Sequence, residues 1–137
     1  MEERYLTEEE IQKKGGAEAQ NAIYMNAGVY ASGSEPVRRN FEEWERVHII
    51  EGGVPDTLQQ VEIGQVAFLH LDMNCCAPEI AAFEHFWERI VPGGIILMDD
   101  YSYVGCELQK EAIDKVAHGV GHQVLSLPTG QGMIIKT

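Results

Sequence analysis

Two apolar runs, each stopped by acid, constrain this chain more than any other feature. Val66-Ala67-Phe68-Leu69-His70-Leu71 ends in Asp72, and Ile95-Ile96-Leu97-Met98 ends in Asp99-Asp100. A nearly continuous apolar run of this length suits a strand buried on both faces. Between the runs, Pro78 to Ile90 carries Ile80, Phe83, Trp87 and Ile90 at i, i+3, i+7 and i+10. That spacing is the stripe of an amphipathic helix. Pro92-Gly93-Gly94 ends it. Strand, helix and strand in that order predict a right-handed βαβ unit with parallel strands.

The alternation continues on both sides. Val47-His48-Ile49-Ile50 reads as a short strand ended by Gly52-Gly53, and Pro55-Asp56-Thr57-Leu58 starts a short helix. A second helix is expected from Cys106 to about Val120, with Leu108, Ala112, Val116 and Val120 on one face. Val124–Leu127 and Met133–Ile135 read as strands joined through Pro128-Thr129-Gly130, short enough for an antiparallel hairpin. The fold class is α/β: a partial Rossmann-like sheet closed at one edge by that hairpin, in one domain over residues 1–137. Within it, residues 1–40 form a polar helical N-terminal segment and 41–137 the α/β core. Thr7 to Glu10 is a capping box opening a polar helix to about Lys14, Ala17–Met25 is a second helical stretch, and Glu35–Trp44 a third with Pro36 in its first turn.

Charge excludes some partners. Ten Lys and Arg against 22 Asp and Glu give a net charge of −12 over 137 residues. Nucleic-acid affinity comes mainly from cations neutralising phosphates, so neither nucleic acid nor an anionic membrane surface is expected as a partner. A bound divalent cation suits such a chain. No apolar run approaches the length of a transmembrane helix, and Met1-Glu2-Glu3-Arg4 lacks a signal-peptide core. Three cysteines, two of them adjacent at Cys75 and Cys76, make neither a disulfide framework nor the spacing of a zinc site. A reduced, cytoplasmic chain is expected.

The acids carry the chemistry. Asp72 and the pair Asp99-Asp100 fall at the carboxyl ends of two parallel strands, where open α/β sheets bind their ligands. Neighbouring strands lie about 4.8 Å apart. Three carboxylates at that range repel, and a hard oxygen-seeking cation such as Mg2+ relieves the repulsion. The plainer alternative is that each Asp caps the helix that follows its strand. His70 inside a buried strand, Cys75-Cys76 in a tight loop, and Tyr101 and Tyr103 at a pocket mouth are lesser candidates with ordinary structural alternatives. No GxGxxG loop follows a first strand. Gly119-Val120-Gly121 and Gly130-Gln131-Gly132 lie near the C-terminus and read as turns.

These residues resemble the macrocin O-methyltransferase family, S-adenosylmethionine-dependent and magnesium-dependent sugar O-methyltransferases. The block Val91-Pro92-Gly93-Gly94-Ile95-Ile96-Leu97-Met98-Asp99-Asp100-Tyr101 is its most specific part. Val66 through Asp72, Val37-Arg38-Arg39-Asn40, Gly52 with Asp56-Thr57-Leu58, and Lys110 through Asp114 support it, so the likeness runs over residues 35–137. The resemblance implies that Asp72, Asp99 and Asp100 bind the metal, and that Asp72 or Asp99 helps deprotonate a hydroxyl acceptor. It also implies that Asp56 and Thr57 lie against the S-adenosylmethionine. The family sheet has the order 3-2-1-4-5-7-6, of which this chain carries the equivalents of strands 3–7. The glycine-rich donor loop of strands 1 and 2 has no counterpart, and Asn74 stands where the family often has a second Asp.

Three functional readings follow. The first is a truncated methyltransferase-like chain acting on a sugar or other small-molecule hydroxyl acceptor. The second is an inactive methyltransferase-fold remnant serving as an oligomeric or binding module. A metal-dependent enzyme of another type is a third. Without a central strand, the strand ending at Asp72 exposes an apolar edge, which predicts a homodimer or other homo-oligomer.

Overall fold

The computed structural model describes residues 33–60 and 62–137. The expected helix after Thr7 and the Ala17–Met25 stretch lie outside the described residues. The elements in chain order are α1 (Glu35–Asn40), β1 (Val66–Leu71), α2 (Cys76–Trp87), β2 (Ile90–Met98), α3 (Glu107–Gly119), β3 (Leu125–Ser126) and β4 (Gly132–Ile135). Pro36 sits in the first turn of α1, where its missing N–H costs no helical bond.

The strands form one four-stranded sheet in the order β1-β2-β4-β3. β1 runs parallel to β2, while β2 with β4 and β3 with β4 are antiparallel. Apart from the first strand, this is the expected architecture: one βαβ unit, then a helix and a hairpin. Among the described residues Val47–Ile50 pairs with no strand. In the family order its neighbour is strand 2, which has no counterpart among the described residues. Without a partner its backbone has no ladder to enter. Pro55 to Leu58 likewise forms turns and not a helix.

β2 begins at Ile90, earlier than the expected Ile95. Val66 pairs with Ile90 and Phe68 with Ile95, so the ladder takes up Val91 to Gly94 as an irregularity. Pro92 and the glycines are tolerated within the strand because they sit in that bulge. Gly94 is required there. A Cβ would stand 2.7 Å from Ile90 Cγ2 and 2.8 Å from the Val91 carbonyl oxygen.

The alternation of each strand then sets two faces. Leu71, Ile96, Met98 and Ile134 turn inward and join Ala82, Phe83 and Trp87 of α2 and Ile113 and Ala117 of α3 in one core. Phe83 and Trp87 stack at 5.3 Å between centroids. The opposite parity carries Phe68, His70 and Ile135, all exposed. β1 was expected to be buried on both faces. One face is instead uncovered: β1 is an edge strand among the described residues, and Phe68 is 57% exposed. The deep face of α3 is also shifted from the expected stripe: Gln109, Ile113 and Ala117 are buried. Ala112, Val116 and Val120 line a groove of about 640 Å³ shared with Ile80, Phe83 and Trp87 of α2.

Candidate metal centre

β1 and β2 end side by side. Leu71 pairs with Met98, and the Asp99 amide then donates to the Leu71 carbonyl at 2.9 Å. The ladder thus continues one step past both strands, and each chain turns away at an aspartate. Asp72, Asp99 and Asp100 offer carboxylate oxygens that all lie within 4.8 Å of one another. The three acids expected to converge do converge, Asp72 exposed and the pair half-buried.

Asp99 has local support. Gln131, in the turn of the β3–β4 hairpin, donates from Nε2 to Asp99 Oδ1 at 2.7 Å. His70 Nε2 stands 4.0 Å from the same oxygen. His70 was expected inside a buried strand; on the outer strand it is exposed and borders the acids. Beyond Asp72, Asn74 adopts φ 54, a left-handed conformation that Asn tolerates better than most residues. The chain turns there, and Cys75, fully buried, becomes the N-cap of α2.

Tyr101 is buried and not at a pocket mouth. Its hydroxyl donates to Asp114 Oδ1 at 2.5 Å and accepts from Lys110 Nζ at 2.9 Å. Burial raises its pKa, and the Asp114 bond raises it further. Tyr103 is exposed and lies against the hairpin turn at Gly130.

Asp56 and Thr57 do not join the acids. Thr57 directs both its amide and its hydroxyl to the Gly53 carbonyl, each at 3.1 Å. Asp56 lies exposed in that turn, and Gln59 contacts His85 in the last turn of α2.

Glu79 was missed by sequence reasoning. It is 1% exposed in the first turn of α2. Its Oε1 accepts from the Met73 amide at 3.1 Å, and its Oε2 from Gln109 Nε2 at 2.7 Å. Burial pushes its pKa up to about 7. The Met73 and Gln109 bonds oppose that shift, and the charges of Asp100 and Asp72 add to it. A signal existed: Glu79 falls four residues before Phe83, inside the buried stripe. Gln109 likewise falls four before Ile113.

A set of three carboxylates matches the preference of a hard divalent cation. The geometry therefore fits the group that the resemblance implies.

Comparison with known proteins agrees with this layout. The macrocin-O-methyltransferase (TylF) family model matches residues 12–125. The chain belongs to the macrocin-O-methyltransferase family. Among characterised relatives of the family, it is 32% identical over 88 residues to the 8-demethyl-8-(2,3-dimethoxy-alpha-L-rhamnosyl)-tetracenomycin-C 4'-O-methyltransferase of Streptomyces olivaceus, covering 61% of this chain and 34% of that protein. It is 25% identical over 97 residues to the mycinamicin III 3''-O-methyltransferase of Micromonospora griseorubida, covering 66% of this chain and 37% of that protein. The O-methyltransferase NovP superposes with a TM-score of 0.69 at 22% identity, over 86% of this chain and 50% of that one. The fold is thus methyltransferase-like, and the chain spans about a third of the length of these curated relatives. Among the described residues, no helix is long and apolar enough to cross a membrane.

Proposed function

We propose that this chain contributes the metal-binding half of an S-adenosylmethionine-dependent O-methyltransferase site, acting on a small-molecule hydroxyl acceptor such as a sugar in the cytoplasm. The observation that carries the reading is the convergence of Asp72, Asp99 and Asp100 within 4.8 Å at the ends of two parallel strands. Family membership gives that convergence its chemical meaning.

In this reading Asp72, Asp99 and Asp100 hold a divalent cation, with Mg2+ the natural choice for an all-carboxylate set. When bound, the cation supplies Lewis acidity that lowers the pKa of the acceptor hydroxyl, and the donor supplies the methyl group. The protein's part is alignment and proton handling. Asp72 or Asp99 takes up the hydroxyl proton, and Gln131 and the Asp99–Leu71 ladder bond keep Asp99 from swinging away. A fixed approach of acceptor to donor supplies much of the rate in a displacement of this kind. On the donor side the described residues offer Asp56 and Thr57, apart from the acids.

Calorimetric titration of the chain with S-adenosylmethionine, with and without Mg2+, tests the reading. Micromolar, Mg2+-assisted binding is expected. No heat at millimolar donor would overturn the donor part and favour the binding-module reading. Among the described residues β1 is an edge strand, and exposed Phe68 and His70 of β1 with Ile135 of β4 support self-association in either case. Light scattering should give more than a monomer mass at micromolar concentration, and a monomer would refute the homodimer.

A further inference from the structure

Glu79 and Gln109 are the two buried polar side chains among the described residues, 1% and 2% exposed, and they bond to each other at 2.7 Å. Burying a carboxyl in a core costs free energy that an apolar residue would avoid. The return lies in what the pair connects. Glu79 Oε1 accepts from the amide of Met73, the residue directly after Asp72. Gln109 lies in the first turn of α3, the helix that follows the loop carrying Asp99 and Asp100. We infer that Glu79 is a positioning residue, which ties the two acid-bearing strand ends together through Met73 on one side and Gln109 on the other.

Geometry separates this role from direct ligation. The oxygens gathered within 4.8 Å belong to Asp72, Asp99 and Asp100, and Glu79 is outside that group. Both of its oxygens are already engaged by N–H donors. The pair also has an internal test. Gln109 Oε1 is buried without a hydrogen-bond partner. In Glu79→Gln, the new side chain accepts from Met73 through its oxygen. Turning the Gln109 amide over then lets the new Nε2 donate to Gln109 Oε1. The conservative variant therefore keeps both links, the flipped Gln109 Nε2 taking the position that Oε1 held, while Glu79→Leu cuts both.

The role rests on the cation reading for only one of its two readouts. Amide hydrogen exchange on the metal-free full chain reads the tie itself, and Mn2+ titration of the same samples reads its consequence. Glu79→Leu should speed exchange in both 72–76 and 99–105 while the β2 amides stay protected. It should weaken Mn2+ by about tenfold or more, as loss of an outer support for metal ligands does. Glu79→Gln should stay close to the parent in both. If Glu79→Leu loosens neither loop, Glu79 is a packing residue and the inference fails. If Glu79→Gln keeps protection but loses Mn2+ as badly as Glu79→Leu, its carboxylate is a ligand and the inference also fails. Should Glu79→Leu not fold, Gln109→Leu decides: it leaves the Met73 bond, and unchanged exchange in both loops would overturn the tie. A parent chain that ignores millimolar Mn2+ sinks the cation reading, while the exchange data still judge Glu79.

Discussion

The Asp99 amide reaches the Leu71 carbonyl at 2.9 Å, and through this bond two strand ends become one site. It sets the backbone of Asp99 beside the residue that precedes Asp72. The carboxylates then face each other without help from a distant loop. Divalent cation should therefore stabilise the fold. A concentration near ten times Kd contributes about 1.4 kcal/mol, enough for a rise of several degrees in Tm. Asp99→Asn should abolish the rise. Calorimetric melts with Mg2+ and with chelator check this, and equal melts of the parent in both would overturn the cation site; the acids are not helix caps, since Cys75 and Cys106 hold the N-cap positions.

Gln131 is the second hold on Asp99, at 2.7 Å from the hairpin turn. Gln131→Met keeps the bulk and removes the donor. Half-buried bonds of this kind contribute about 1 kcal/mol to stability, so the fold should survive with a small loss. Cation affinity should fall roughly tenfold, because one ligand then rotates freely. Titration with Mn2+ measures it. Unchanged affinity would mean that the ladder bond alone fixes Asp99.

The convergence of the acids was legible because apolar runs that stop at Asp report both the strand and its functional end. The hairpin was legible from Pro128-Thr129-Gly130. What failed has common causes. A continuous apolar run predicts burial on both faces, but a face is buried only by a covering layer, and among the described residues the helices cover the Leu71 face alone. Val47–Ile50 has strand composition but no partner strand among the described residues, and composition alone does not make a strand. Pro92-Gly93-Gly94 reads as a stop, yet a bulge accommodates it inside β2. Glu79 and Gln109 escaped because polar residues are ordinarily exposed, so nothing in their type marks them as core. A Glu in the first turn of a helix is ordinarily a solvated partner of the helix dipole, whereas here a mutual bond at 2.7 Å keeps both polar groups inside.

Gly132 sits where no side chain fits. A Cβ there would lie 2.6 Å from Tyr101 Cγ and 2.8 Å from Val124 Cγ1. The ring cannot swing aside easily, because Asp114 and Lys110 hold its hydroxyl. Gly132→Ala should cost about 2–3 kcal/mol, in the range of core overpacking. Gly119, at the end of α3, has open space around its Cβ position, and Gly119→Ala should be neutral or slightly stabilising. Urea unfolding of the two variants side by side tests the contrast. Equal stability would mean that β4 shifts to make room.

Glu79 should give the metal-free protein an unusual pH dependence. Its carboxyl ionises near 4.5 when unfolded and near 7 when folded. Below the lower value both states hold the proton, and the group is neutral to stability. Between the two, the unfolded chain releases the proton while the folded chain keeps it, so stability falls as pH rises. Above about 7 both are ionised and the loss levels off, at roughly 3 kcal/mol. Glu79→Gln removes the titration, so its stability relative to the parent should grow by a comparable amount from about pH 5 to about pH 7.5. Urea midpoints in chelator at the two pH values measure the difference. Parallel profiles would mean that Glu79 ionises at its ordinary value, with water reaching the pair.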